Sequence, residues 1–199
     1  MLIDTHCHLD FKDFAEERDQ IIQRALDAGV KQMITISTRV KKFDQIKALA
    51  DSYEQVFCSV GVHPNNAHEE PDITAEELVE LSTHAKCVAI GEAGLDYFYD
   101  YAPPDVQATG LRRHIAAARI TGLPLVIHAR AADEDMISIL REEAAKGAFP
   151  FVLHCFSSGP ELARVGVELG GYISFSGILT FPKSEEIREI AKTVPRDRL

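Results

Sequence analysis

Short apolar runs alternate with longer amphipathic stretches along the whole chain. Seven of the apolar runs have the length of strands and are mostly rich in Val, Ile, Leu or Phe, which is typical of strands buried on both faces. The predicted strands are Leu2–Asp4, Gln32–Ile36, Val56–Val62, Cys87–Ile90, Leu125–Ile127, Phe151–Leu153 and Tyr172–Phe175. The first run has the composition of a buried strand like the others.

The stretches between these runs have helical features. Thr74 followed by Glu77 has the pattern of a capping box, and Gly29, Gly122 and Gly147 stand where helices end. The predicted helices are Phe14–Ala28, Val40–Asp51, Thr74–Thr83, Asp105–Thr121, Ala131–Lys146, Gly159–Leu169 and Ser184–Thr193. An alternation of strands and helices predicts a parallel sheet with right-handed crossovers.

Two α/β architectures fit this order, an open doubly wound sheet and a closed (β/α)8 barrel of the TIM type. An open sheet that binds a dinucleotide usually carries a glycine-rich turn after its first strand. Here the first strand leads into Thr5-His6-Cys7-His8, which contains no glycine. The barrel is therefore favoured. No linker or shift in composition divides the chain, so residues 1–199 are predicted to form a single domain.

Polar residues follow the predicted strands in a repeated position. Five strands each lead into a histidine or a glutamate at the carboxyl end, and in a parallel barrel these ends meet on one face. Barrel enzymes keep their active sites on that face. The residues are His6 and His8, then His63, Glu92, His128 and His154.

This set has the chemistry of a divalent-metal site. His6 and His8 are two residues apart, which points both imidazoles to the same side of an extended chain. Imidazole and carboxylate ligands suit Zn, Mn and similar ions. Glu92 is the candidate to bridge two such ions about 3.5–4 Å apart, an arrangement that activates water and stabilises a leaving oxygen.

The composition limits the other function classes. With 21 basic and 31 acidic residues the net charge is −10, which argues against broad attachment to nucleic acid or to an anionic membrane. Bound cations can nevertheless reverse the field locally. The four cysteines form no paired motif, which favours a reduced, cytoplasmic protein. No apolar run approaches the roughly 20 residues that span a bilayer.

The motifs taken together resemble the TatD family of metal-dependent deoxyribonucleases, which are amidohydrolase-type barrels. The combination is highly specific, whereas a His-x-His pair alone is a weak signal. The matching segments are Asp4-Thr5-His6-Cys7-His8-Leu9-Asp10, Gly61-Val62-His63-Pro64, Gly91-Glu92-Ala93-Gly94-Leu95-Asp96-Tyr97, Ile127-His128-Ala129-Arg130, His154-Cys155-Phe156-Ser157 and Gly177-Ile178-Leu179-Thr180-Phe181.

The resemblance implies roles for particular residues. The implied metal ligands of two divalent ions (Zn, Mg or Mn) are His6, His8, Glu92, His128 and His154. His63, Glu92 and Arg130 are the implied catalytic residues, and the implied substrate contacts are His63, Asp96, Tyr97, Arg130 and, by position, Lys183. The implied substrate is DNA, as strand ends or short single strands trimmed from the 3′ end. No membrane and no stable protein partner are expected.

The family pattern has one more metal-ligating aspartate, in a Glu-Thr-Asp segment after the eighth strand. The sequence has no counterpart of this segment before Leu199. Seven predicted strands and 199 residues, against about 250 for a typical barrel, lead us to expect that the eighth strand and last helix are missing from the given chain. We expect such a chain to be poorly stable and weakly active.

Several alternatives stay open. The same barrel could hydrolyse a small ester, an amide or an aminoacyl-nucleotide, or it could be an inactive, truncated barrel that only binds metal or a partner. The aromatic residues Tyr97, Phe98, Tyr99 and Tyr101 could form a hydrophobic rim or stack on bases. His68, His84 and His114 are predicted to be solvated.

Overall fold

A computed structural model describes all 199 residues, Met1–Leu199. Its seven strands are Leu2–Cys7 (β1), Val30–Thr35 (β2), Val56–Val60 (β3), Cys87–Asp96 (β4), Leu125–Arg130 (β5), Phe151–Leu153 (β6) and Tyr172–Ile173 (β7). Its seven α-helices are Arg18–Asp27 (α1), Phe43–Ser52 (α2), Ala75–Leu81 (α3), Pro104–Thr121 (α4), Asp133–Lys146 (α5), Pro160–Glu168 (α6) and Glu185–Thr193 (α7). Every predicted strand and helix is present; Phe151–Leu153 has the predicted bounds, and the other elements have one or both ends shifted.

The strands form one parallel sheet in which spatial order equals chain order, β1 to β7. This order, with a helix after each strand, is that of a TIM-type α/β barrel and confirms the predicted fold class. The sheet has seven strands, so β1 and β7 are its edges. Because all strands run in the same direction, all their carboxyl ends lie on one face.

The core lies between the sheet and the helices packed on its outer side. Ile46 from α2, Leu111 and Ile115 from α4 and Leu140 from α5 are fully buried in it. Burying each such side chain contributes about 1.5–3 kcal/mol. The helices thereby fix the strands from outside and leave the carboxyl-end face free for polar side chains.

Strand β1 differs from the prediction. Leu2 and Ile3 are exposed, so the expectation of a strand buried like the others was wrong. The physical reason is its position: β1 is an edge strand that pairs only with β2.

Strand β4 is also longer than predicted, and Glu92 lies inside it rather than after it. Gly94 explains how β4 continues beside β5. At Gly94 φ is +156°, and a Cβ atom there would lie 1.9 Å from the carbonyl oxygen of His128. Only glycine permits this approach of the two backbones.

None of the helices combines the length and apolar character that a bilayer crossing requires.

Candidate metal centre

The carboxylate of Glu92 is the centre of the polar cluster at the carboxyl-end face. Glu92 is only 2% exposed. One oxygen, Oε2, lies 3.5 Å from Nε2 of His6 and 4.0 Å from Nε2 of His8. The two imidazole nitrogens lie 3.3 Å apart. The predicted convergence of β1 and β4 at one carboxylate is therefore present in the structure.

The other oxygen of Glu92, Oε1, faces imidazoles from three further strands. It lies 3.2 Å from Nδ1 of His128, 2.5 Å from Nε2 of His154 and 3.7 Å from Nε2 of His63. The rings are tightly packed, since those of His6 and His154 stack in parallel with centroids 4.0 Å apart. A single carboxylate thus separates two groups of imidazole nitrogens.

Hydrogen bonds at the far side of two rings orient them for ligation. His8 Nδ1 lies 3.2 Å from the carbonyl oxygen of Ile36, which can only accept. His8 therefore carries its proton on Nδ1 and leaves the Nε2 lone pair toward Glu92. His128 Nε2 lies 3.0 Å from Oδ2 of Asp96 and leaves Nδ1 toward Glu92. Metal-binding histidines commonly donate their other N–H to a carbonyl or carboxylate in this way.

His63 has the opposite arrangement. Its Nδ1 accepts a hydrogen bond from the backbone N–H of Asn65 at 3.1 Å, so the neutral ring carries its proton on Nε2. The nitrogen that faces Glu92 is then a donor with no lone pair. His63, Glu92 and His128 are close enough to hold an ion together, but this hydrogen bond suits His63 to an anionic oxygen instead.

His114 of α4 holds the backbone beside His63. It is fully buried, so the prediction that it is solvated was wrong. Its Nδ1 donates to the carbonyl of Gly110 at 2.8 Å, and its Nε2 accepts the backbone N–H of Val62 at 3.0 Å. Burial lowers the pKa of His114 to about 4. The neutral ring thus ties α4 to the end of β3.

The cluster favours neutral rings around one anion. Burial lowers the pKa of His8 and of His154, and it lowers the pKa of His63 to about 4. Burial would raise the pKa of Glu92, but the attraction of His154 and hydrogen bonds from His128 and His154 hold it well below its usual range. Neutral imidazole and ionised carboxylate are the forms that bind metal ions.

The imidazole of His128 differs from the others because its pKa is raised rather than lowered. Burial acts to lower the pKa of His128, but its hydrogen bond to Glu92 and the charges of Glu92 and Asp96 raise it. A positive charge at this position is therefore favoured. A metal cation beside Glu92 would supply the same positive charge in place of a protonated His128.

The donor set fits divalent ions by two further observations. Nδ1 of His6 is buried and has no hydrogen-bond partner, although buried polar atoms are nearly always paired. Donor atoms of a tetrahedral centre with bonds of about 2.0–2.1 Å are roughly 3.3 Å apart. The separations of His6, His8 and Glu92, from 3.3 to 4.0 Å, are close to this value.

A cavity of about 390 Å³ opens over the centre. Besides the imidazoles and Glu92, its walls contain residues that the sequence analysis missed: Phe11, Thr38, Arg39, Asn65 and Asn66. Thr38 and Arg39 come shortly after β2. A search for polar residues beyond the carboxyl ends of the strands, which identified the other site residues, would therefore also have identified these two. Glu69 accepts from Nε and Nη2 of Arg39 at 2.8 Å each, which leaves Nη1 without a partner.

The remaining predicted substrate residues lie outside this cavity. Asp96 is buried against His128. The hydroxyl of Tyr97 donates to Asp135 at 2.7 Å and lines a separate, acidic cavity of about 560 Å³. The guanidinium of Arg130 lies over the ring of Phe98.

Lys183 is exposed before α7, where it contacts neither the cavity nor the imidazoles. Its role in substrate binding stays a prediction.

The comparisons with known proteins agree with this geometry. The model of one family, TatD related DNase, matches residues 3–199. The chain belongs to the TatD family. A TatD relative from Bacillus subtilis, named uncharacterized metal-dependent hydrolase YabD, is 37% identical over 202 residues, covering 100% of this chain and 78% of YabD. The predicted family is confirmed, and with it membership among metal-dependent hydrolases.

Solved TatD structures have the same fold. YjjV, a TatD homologue from Escherichia coli, superposes with a TM-score of 0.88 at 31% identity, covering 98% of this chain and 75% of YjjV. A TatD family hydrolase from Entamoeba histolytica gives 0.85 at 26% identity, covering 100% of this chain and 71% of that protein. The relatives are thus longer than these 199 residues.

Proposed function

We propose that this protein is a divalent-metal-dependent hydrolase that cleaves DNA phosphodiester bonds and removes nucleotides from the 3′ end of a strand. The observation that carries the proposal is the buried carboxylate of Glu92, which lies within 4.0 Å of imidazoles delivered by four other strands. Membership of a family described as TatD related DNase supports the choice of a nucleic acid substrate.

The two sides of Glu92 suit two ions. His6 and His8 with Glu92 would hold one, and Glu92 with His128 and His154 would hold the second. Divalent ions held there would polarise the phosphate and activate water. Their four positive charges would also exceed the negative charge of Glu92, which would allow a protein of net charge −10 to bind an anionic substrate.

The chain's own groups position the phosphate. His63 donates its Nε2–H to a phosphate oxygen, because its Nδ1 is already used by the N–H of Asn65. Arg39 lines the same cavity, where its Nη1 is available to the phosphate while Glu69 fixes the rest of the guanidinium. Arg is well suited to phosphate oxygens. The cavity of about 390 Å³ has a size suited to one end of a strand, and the net charge of −10 argues against a long basic groove for internal binding.

A cleavage assay tests the proposal. The protein is loaded with Mg, Mn or Zn and given single-stranded DNA whose 3′ end is free or chemically blocked. We expect a ladder of successively shorter products from the free end and none from the blocked end. His63→Gln should lower kcat while metal affinity stays unchanged, because His63 binds the phosphate and not the ion.

His68→Gln is the matched control, since His68 is exposed five residues further along the chain and should behave as wild type. A panel of small esters and amides is tested in parallel. Hydrolysis of those alone would replace DNA with a small substrate. Metal binding with no hydrolysis of any compound would replace the enzyme with a non-catalytic barrel.

A further inference from the structure

Three large aromatic side chains are exposed together on the loop that follows β4. Phe98 is 60% exposed, Tyr99 is 40% exposed and Tyr101 is 62% exposed. The rings of Phe98 and Tyr99 meet edge to face at 4.9 Å, and those of Tyr99 and Tyr101 stack at 5.5 Å with an interplanar angle of 19°. Single exposed apolar residues are ordinary, but a contiguous patch usually marks a binding surface.

An arginine completes this patch. The guanidinium carbon of Arg130 lies 3.9 Å from the ring centroid of Phe98 and 5.0 Å from that of Tyr99. The side chain of Arg130 pairs with no carboxylate, unlike Arg39, Arg112 or Arg164. Its charge is therefore available to an anion. We call Phe98, Tyr99, Tyr101 and Arg130 the aromatic rim.

Asp96 attaches the aromatic rim to the metal centre. Its Oδ1 accepts the backbone N–H of Phe98 at 3.1 Å and of Tyr99 at 3.2 Å, while Oδ2 accepts from Nε2 of His128 at 3.0 Å. Gln107 of α4 bonds both backbone groups of Asp96. The rim is thus held at a fixed distance from the ligands by one buried carboxylate.

We propose that the aromatic rim binds the unpaired bases of a single strand next to the bond that is cleaved, with Arg130 on a backbone phosphate between them. The inference rests on the proposed function and deepens it. Aromatic faces and arginines are the groups with which proteins bind single strands irrespective of sequence. A base stacked within a duplex offers no free face, so the rim selects unpaired ends.

Binding of base-bearing and abasic strands tests the proposal without cleavage. One fluorescent single strand of mixed sequence, with its 3′ end chemically blocked against cleavage, is compared by anisotropy with the same strand carrying abasic residues at its last positions, with the divalent metal present in both cases. We expect the abasic strand to bind about tenfold more weakly or worse, since each stacked base contributes to affinity. Phe98→Ala should weaken binding of the base-bearing strand alone.

Two variants separate stacking from other effects. Phe98→Leu keeps an apolar side chain but lacks an aromatic face, so it should lose the same preference as Phe98→Ala. Tyr172→Ala removes an aromatic ring on β7 that is 48% exposed and is not part of the rim, and it should retain the preference. Equal binding of both strands by the wild type, or full retention of the preference by Phe98→Leu, would overturn the inference.

Cleavage is then measured separately with metal present. If the wild-type protein binds the base-bearing strand more tightly than the abasic strand but releases no nucleotide, the proposed function is refuted and the proposed role of the rim stands. A wild type that cleaves both strands with equal KM would refute the rim and leave the proposed function intact. For a functioning rim, Phe98→Ala should raise KM for the base-bearing strand about tenfold without changing kcat.

Discussion

The buried imidazole of His114 makes the stability of the fold depend on pH in a way that can be isolated. Its pKa is lowered to about 4, first by burial and also by the charge of Arg113, from an ordinary value of 6.5. Below pH 6.5 the unfolded chain takes up a proton at this residue and the folded chain does not. The unfolded state then binds more protons, so the free energy of unfolding falls with pH.

The expected size follows from the shift. One pH unit between the two pKa values is worth about 1.36 kcal/mol, so acidification from neutral pH to about pH 5 removes roughly 2 kcal/mol through this group. The loss continues until the pH reaches the folded-state pKa of about 4. His114→Gln removes the titration and, by weakening two buried hydrogen bonds, lowers stability by an additional amount of about 1–3 kcal/mol that does not vary with pH.

Urea unfolding followed by circular dichroism measures both effects. Wild type, His114→Gln and the exposed control His68→Gln are unfolded in chelator at about pH 7, 6 and 5. The other histidines are present in both wild type and His114→Gln, so their titration cancels in the difference between the two free energies of unfolding. The gap between wild type and His114→Gln should shrink by roughly 2 kcal/mol from pH 7 to pH 5. A gap that stays constant would show that His114 is not held neutral in the folded protein.

Three further changes test the metal centre and the packing. Glu92→Gln should lower affinity for Mn or Zn by at least about 100-fold in calorimetry, with an unchanged circular dichroism spectrum; retained affinity would exclude Glu92 as a ligand. Gly94→Ala should destabilise the fold by about 2 kcal/mol or more in urea, because its Cβ would meet the His128 carbonyl at 1.9 Å, whereas Gly110→Ala, which meets nothing within 4 Å, should be neutral or stabilising. Thr74→Ala breaks the capping box of α3 and should cost about 1 kcal/mol without altering hydrolysis; a change in metal affinity would contradict this.

The fold was predictable because two simple patterns agree. Buried parallel strands require near-continuous apolar runs, and the helix between each pair carries its own end signals, such as Thr74 with Glu77. The errors arose where an environment beyond the local sequence decides. Leu2 and Ile3 have the composition of buried residues but lie on an edge strand. β4 continues past Ile90 because Gly94 permits a close backbone contact with His128.

The centre was predictable to the extent that strand ends determine it. Topology alone brings His6, His128 and His154 to Glu92. The direction of Arg130 depends instead on the neighbouring rings, which no local pattern encodes.

Other parts of the site depend on loop conformation. Asn65 and Arg39 reach the cavity through turns after β3 and β2. His114 lies at helical spacing with Leu111, Ile115 and Ala118 on the buried face of α4, so its burial was predictable and the sequence analysis missed it. Its hydrogen bond from the backbone N–H of Val62, by contrast, joins distant parts of the chain and has no local signal.

The two oxygens of Asp96 link the ring of His128, a proposed metal ligand, to the backbone of a loop that faces solvent. A movement of His128 upon ion uptake would therefore be transmitted to the amides of Phe98 and Tyr99. Thermodynamic reciprocity then requires that whatever factor an ion adds to the affinity for a strand, the strand adds to the affinity for the ion. In the proposed hydrolysis of DNA, the strand would therefore help to recruit the metal ions at limiting cation concentrations.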